Sequence, residues 1–212
     1  MRVRRVAVDD MGRVQVSSTK PVMSLARNLT IRLPDWMFAE LDLQSARRTD
    51  EERMTLAIEV ARRNTEHGGG PFGAIVVEAE TGSIVGLGSN LVVGHACSLL
   101  HAEIVAILMA QAGLQTYTLA GGNYELVTSS APCVQCLGAV YWSGLRRMVC
   151  GAPLEAAEAA GFDEGPRSDD WKEQLARRGV SVTEGVLAER ATDVLLDYAR
   201  GGGILYNARV RA

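Results

Sequence analysis

Long apolar runs are missing from this sequence. Nothing in it approaches the roughly 20 consecutive apolar residues of a membrane-spanning helix, so no membrane partner is expected. Arg2, Arg4 and Arg5 precede only Val6-Ala7-Val8 before Asp9-Asp10, too short a run for the core of a secretory signal. Cysteine is scarce as well. Four cysteines in 212 residues make no disulfide framework, and Cys97 and Cys150 are expected as buried free thiols in a reducing, cytoplasmic compartment. A basic excess is also lacking. The formal net charge is −3, and the short pairs Arg146-Arg147 and Arg177-Arg178 read as solvated surface. A chain that grips phosphate backbones carries a basic stripe, so a small neutral substrate is expected here and nucleic acid is not. Internal repeats and low-complexity segments are absent too.

What remains is a chain that is 47% hydrophobic, enough to bury the core of one domain. Residues 1–45 carry weak periodicity and a break at Ser17-Ser18-Thr19-Lys20-Pro21, and read as an extension of uncertain order. The body runs over 46–200. Thr49 and Glu52 are placed as a capping box, and Met54, Ala57, Ile58 and Ala61 recur at helical spacing behind it. Gly68-Gly69-Gly70-Pro71 ends that helix. Strands at 73–78 and 84–87, separated by Thr81-Gly82-Ser83, form a hairpin. A second helix follows His101, and strands are expected at 124–128 and 147–150 on either side of a helix reaching from Cys133 to about Ser143. Two helical patterns, near 155–160 and 171–178, separate the 147–150 strand from one at 180–183. So long a connection predicts a parallel crossover rather than a hairpin. A last helix over 187–200 ends in Gly201-Gly202-Gly203, and 201–212 forms a tail whose Ile204-Leu205-Tyr206-Asn207-Ala208 is apolar enough to dock.

The chemistry sits in two short motifs, His101-Ala102-Glu103 and Pro132-Cys133-Val134-Gln135-Cys136. A catalytic zinc ion takes three protein ligands and keeps its fourth tetrahedral position open, a demand met by His101, Cys133 and Cys136. Cys133 and Cys136, three apart, share a helix face when Pro132 precedes the first turn, and the helix N-terminus favours the thiolates zinc needs. Glu103, two residues beyond His101, is near the ion without being a ligand. Zinc lowers the pKa of the water it binds towards ~7, and a neighbouring carboxylate can then take and return one proton. Each piece has a plainer reading: Cys-x-x-Cys as a structural half-site or redox pair, His101 as a capping residue, and Cys97 as a fourth ligand closing a structural site.

Together, H-x-E and P-C-x-x-C are the signature pattern of zinc deaminases. With Gly70-Pro71-Phe72-Gly73-Ala74-Ile75, Leu137-Gly138-Ala139 and Gly161-Phe162-Asp163-Glu164, the chain from about Glu52 onward resembles the cytidine-deaminase-like superfamily, and within it the guanine deaminase branch. The resemblance implies an α/β fold, a three-layer α/β/α sandwich on a five-stranded mixed sheet with its last two strands parallel. It also implies one zinc ion per subunit and a homodimer in which the C-terminal segment is swapped onto the partner's site. By position it implies Asn90 as the amide that reads the substrate ring, with a turn residue as the alternative. Phe72 is implied as the aromatic stacked on the base, or else core. Ala102, Trp142 and Tyr206 complete the implied pocket, with plain burial the alternative for Trp142. Glu164 aligns with a second carboxylate that handles protons, unless Asp163 and Glu164 merely flank a turn. Two departures bear on the pocket. Ser130-Ala131 stands where many relatives carry Cys-Glu, and the loop from Gly94 to Leu100 is more apolar than the common one.

The expected activity is therefore hydrolytic deamination of a small amino-substituted ring, guanine to xanthine first. Another free base such as cytosine or isocytosine, a nucleoside, or an ammeline-like amino-s-triazine stays open as substrate. A tRNA adenosine deaminase and a zinc-stabilised binding protein without catalysis are the readings from other classes.

Overall fold

The computed structural model describes residues 5–8, 14–17 and 26–207; the expected segments Arg2 to Arg4, Asp9-Asp10, Ser18 to Pro21 and 208–212 lie outside them. The chain divides into two units, Met1–Arg32 and Leu33–Ala212. In the first, β1 (Arg5–Val8) pairs antiparallel with β2 (Val14–Ser17), opposing Arg5 to Ser17. The sequence reading put the boundary at residue 45. The body begins earlier because Leu33, Trp36, Met37 and Leu41 are buried, Trp36 and Met37 on the single turn α1 (Trp36–Ala39), too short to register as a period.

In the second unit the elements follow in the order α2 (Asp50–Glu66), β3 (Gly73–Glu78), β4 (Ile84–Ser89), α3 (Val92–His95), α4 (Ala102–Gly113), β5 (Tyr124–Ser130), α5 (Val134–Ser143), β6 (Arg147–Ala152), α6 (Leu154–Ala159), α7 (Trp171–Ala176), β7 (Ser181–Thr183) and α8 (Ala188–Arg200). The capping box that opens α2 is formed. Glu52 N donates to Thr49 Oγ1 at 3.2 Å and Thr49 N donates to Glu52 Oε2 at 3.1 Å. The sheet runs β4-β3-β5-β6-β7. β3 is antiparallel to both β4 and β5, whereas β5, β6 and β7 are mutually parallel, as the long crossover requires.

Side chains alternate across the sheet and each face is covered by helices, giving the three layers expected. Ala74, Val76, Leu126 and Met148 face α4, α5 and α7 in one continuous core with Ala106, Leu137, Val140 and Trp171. α2 and α8 cover the other face. Close approach of α4 depends on Gly86 and Gly88, since a Cβ at Gly88 would lie 2.1 Å from the Ala102 carbonyl oxygen and one at Gly86 would lie 2.4 Å from that of Ala106. No helix among the described residues is long and apolar enough to cross a membrane.

At the end of the sheet where β5 and β6 begin, the expectation for Arg147 fails. Its guanidinium is not solvated surface. It forms two bonds to Asp50, at 2.6 and 2.8 Å, and lies 3.2 Å from Glu125, which Arg53 also holds at 2.6 Å. Asp50 is 97 residues away in sequence, so nothing local to Arg146-Arg147 betrays the pairing. The thiols are free as expected, Cys150 buried and Cys97 only partly so.

Candidate active site

At the opposite end of the sheet two helices begin side by side. His101 is the N-cap of α4 and Cys133 the N-cap of α5, both with extended backbone (φ −67°, ψ 154° and φ −71°, ψ 171°). That geometry turns each side chain back across the first turn of its helix. Cys133 Sγ lies 3.4 Å and Cys136 Sγ 3.6 Å from His101 Nδ1. Among the described residues this is the one group of three or more His, Cys, Asp or Glu side chains whose ligand atoms converge, all within 4.8 Å of one another. Cys97 is not part of it, so the fourth ligand of a closed structural site is not supplied from that position.

Burial shapes the electrostatics. The two thiols share one negative charge. Cys136 donates to Cys133, which together with His101 holds Cys133 ionised down to about 4, while the same bond and burial push Cys136 well up. Burial works against a charge on His101, but the bond to Cys133 and the nearby Glu103 outweigh it and raise its pKa. Glu103, 5% exposed, is raised by burial and then by the charge on Cys133. Glu164 is pushed up to about 8 for the same two reasons, with Glu103 adding to them. Two thiols and two carboxyls thus crowd a buried space against one imidazole. This donor set fits zinc, with two sulfurs and a nitrogen as three of four tetrahedral ligands; a dication there reverses the local field and favours the ionised forms.

Beside the three ligands opens a cavity of about 270 Å³. Phe72, Asn90, Glu103, Glu164 and Tyr206 line it, so five of the side chains singled out in the sequence converge there with His101 and Cys133. Asn90 is a turn residue that also lines the cavity. Its Oδ1 accepts from Val92 N at 3.2 Å, which makes the turn, and the residue faces the cavity. Phe72 likewise packs against the core and meets Phe162 edge to face, with centroids 4.9 Å apart. Tyr206 arrives on the tail, which folds back on its own chain. Asn207 Oδ1 accepts from Asp163 N and its Nδ2 donates to Gly161 O, both at 2.9 Å, and Tyr206 lies against Phe162 at 5.3 Å. Burial raises the Tyr206 phenol, whose oxygen has no protein partner.

Two of the residues implied for the pocket do not line this cavity. Ala102 is fully buried in the core and does not line the cavity. Trp142 is 81% exposed and lies outside it, since α5 turns Cys136, Leu137 and Val140 inward and leaves Trp142 outward. Missed from the sequence were Phe162, Val92, Ser98 and Asn207, all of which line the cavity. Phe162 and Asn207 each adjoin a residue that was singled out, and that adjacency was the available signal. Val92 precedes the apolar loop before His101, and Ser98 lies within it.

Residues 47–152 match a family model described as the cytidine and deoxycytidylate deaminase zinc-binding region. That span reaches from the start of α2 to the end of β6 and holds all three ligands and Glu103, while Glu164 and the tail lie beyond it. A solved guanine deaminase from Nitrosomonas europaea superposes with a TM-score of 0.79 at 40% identity, covering 84% of this chain and 100% of that one. A guanine deaminase of Bacillus subtilis is 40% identical over 96 residues, 45% of this chain and 59% of that protein. A tRNA-specific adenosine deaminase of Haemophilus influenzae is 34% identical over 146 residues, 69% of this chain and 80% of that protein.

Proposed function

The chain belongs to the cytidine and deoxycytidylate deaminase zinc-binding family, and within it we propose a hydrolytic deaminase of a small amino-substituted base, guanine to xanthine and ammonia first. The observation that carries the proposal is the cavity itself: two buried carboxyls, Glu103 and Glu164, stand with the His101 and Cys133 ligands around a space closed by Tyr206. Its volume of about 270 Å³ falls below the ~300–1,000 Å³ of pockets that take drug-sized ligands and suits a single flat base.

His101, Cys133 and Cys136 would hold a zinc ion, which when bound would supply the Lewis acidity that makes water a nucleophile at neutral pH. Glu103 takes a proton from the attacking water and delivers it to the exocyclic amino group, so that the C–N bond breaks and ammonia leaves. Glu164, buried on the cavity wall, passes a proton to a ring nitrogen as the ring carbon becomes tetrahedral and takes up the one that the new hydroxyl loses as the carbonyl forms. Phe72 and Phe162 form the apolar wall against which a flat ring packs, and Asn90 offers its amide at the ring edge. The reading includes a cytoplasmic homodimer, with the tail from Gly201 exchanged between copies so that Tyr206 closes the neighbouring cavity as it closes its own here.

Ammonia release over guanine, guanosine, cytosine, cytidine, adenosine, isocytosine and amino-s-triazines tests the substrate. Turnover confined to guanine supports it; turnover of another ring alone moves the assignment to that ring. A second reading, tRNA adenosine deamination, is favoured by the Haemophilus relative. It requires tight RNA binding that weakens steeply with salt, a measurement the net charge of −3 is expected to fail. A non-catalytic zinc protein would release no ammonia from any of these rings and would unfold when the metal is removed.

A further inference from the structure

The segment that carries Glu164 is tied to the segment that carries the thiols. The backbone of residues 131–134, the turn after β5 and the first residue of α5, is held from outside by three hydrogen bonds. Ala131 N donates to Ala152 O at 2.8 Å, Val134 N donates to Glu164 O at 3.1 Å, and Arg167 Nη1 donates to Pro132 O at 3.2 Å. The first joins this segment to the end of β6; the other two come from the stretch 164–167. Pro132 has no N–H, so its carbonyl is the one backbone group by which the residue before Cys133 can be held. The guanidinium that holds it is itself seated, 4.7 Å above the ring of Trp171, which is buried in the core cluster. Arg167 N also donates to Gly165 O at 3.0 Å, closing a tight turn just after Glu164. Lys172 reaches the same indole from 5.9 Å, and its ammonium is engaged by Glu184 at 2.7 Å.

We propose that Arg167 is a positioning residue of the metal centre. By fixing the Pro132 carbonyl from a rigid stack on Trp171, it sets where Cys133 and Cys136 stand relative to Glu164. A planar, permanently charged group can stack and donate at once, which a lysine ammonium cannot. Groups that orient metal ligands from one bond away commonly govern metal affinity by about 10–100-fold. The inference concerns how the metal is held and is independent of which base is deaminated.

The test is the rate at which zinc-loaded full-length protein releases its metal to an excess of chromophoric chelator, measured below the melting transition of every variant. Arg167→Met keeps the stem on Trp171 but loses the donors, and is expected to release zinc about 10-fold faster than wild type. Arg167→Lys speeds release by a smaller factor, and Lys172→Met releases at the wild-type rate. Wild-type release from Arg167→Met overturns the proposal. So does equal acceleration in Lys172→Met, because the packing of Trp171 would then govern the metal and the Pro132 bond would not. Should Arg167→Met fail to fold, Arg167→Lys decides: faster release at an unchanged Tm supports the assignment, and wild-type release overturns it.

Discussion

The two ends of the sheet carry opposite solutions to the same electrostatic problem. Where β5 and β6 begin, Arg53 and Arg147 meet Asp50 and Glu125, two cations against two carboxylates, and the Arg147 bonds hold Asp50 below the usual carboxylate range. Where β5 ends, two thiols and two carboxyls face one imidazole, and Glu103, Glu164 and Cys136 are all pushed up. The first cluster is neutral within the chain and asks for nothing more. The second is short of positive charge, and the missing charge is what a dication brings. One end is a paired ion cluster and the other gathers a donor set that fits a metal, with the sheet between them keeping the two apart.

Removing the metal strikes only the second end and has the largest effect. Chelated protein is expected to lose ammonia release altogether, with recovery on adding zinc back, while the Arg53–Glu125 end keeps the sheet folded; circular dichroism checks that separation. Next comes Glu103→Gln, which keeps size and burial but cannot take up and return a proton. Its kcat should fall by about 10²–10⁴-fold with one zinc still bound per chain and Tm preserved. Ammonia release at the wild-type rate would remove Glu103 from the chemistry.

The converse break belongs at the other end. Arg53→Met leaves Glu125 buried with only Arg147 still near it, at 3.2 Å, and leaves the Arg47 and Ala79 carbonyls without their donor. Removing one partner of a buried pair costs about 3–5 kcal/mol, and the remaining arginine puts the expectation at the lower figure, near 3 kcal/mol. Urea unfolding measures that loss. The kcat of the folded fraction should stay within about twofold, as expected for sites too far apart to couple. A matching fall in kcat would mean that the two ends are not separable.

Much of this division was legible in the sequence, for a local reason. The capping box of α2, the hairpin and the H-x-E and P-C-x-x-C motifs are each set by residues within a few positions of one another, so spacing alone reports their geometry. The parallel order of β6 and β7 followed from connection length. What escaped depends on partners far along the chain. Arg147 reads as surface until Asp50, 97 residues earlier, is placed beside it, and nothing local to Arg167 points to Pro132, at a separation of 35. Trp36, Met37 and Leu41 belong to the body, yet α1 is one turn long and shows no period. Phe162 and Asn207 reach the cavity only through the way the tail and the loop after α6 fold together.

Trp142 gives the comparison its finest test, because here the smallest effect is the informative one. On α5 it stands on the face turned away from Cys136, 81% exposed, with the Arg178 guanidinium 6.0 Å from its ring. Truncating a residue so placed removes little packing, so Trp142→Ala should change stability by no more than about 0.5 kcal/mol. Within one chain it should leave kcat/KM within about twofold, since the ring has no path to the cavity through the core that α5 shares with the sheet. Steady-state kinetics at several protein concentrations decide the matter, with sedimentation run alongside. An unchanged kcat/KM at every concentration makes the site a property of the single chain and its tail. A loss that grows on dilution, with a shift from dimer to monomer, would instead assign Trp142 to the face between two copies and make the site end of the sheet the end that also depends on a partner.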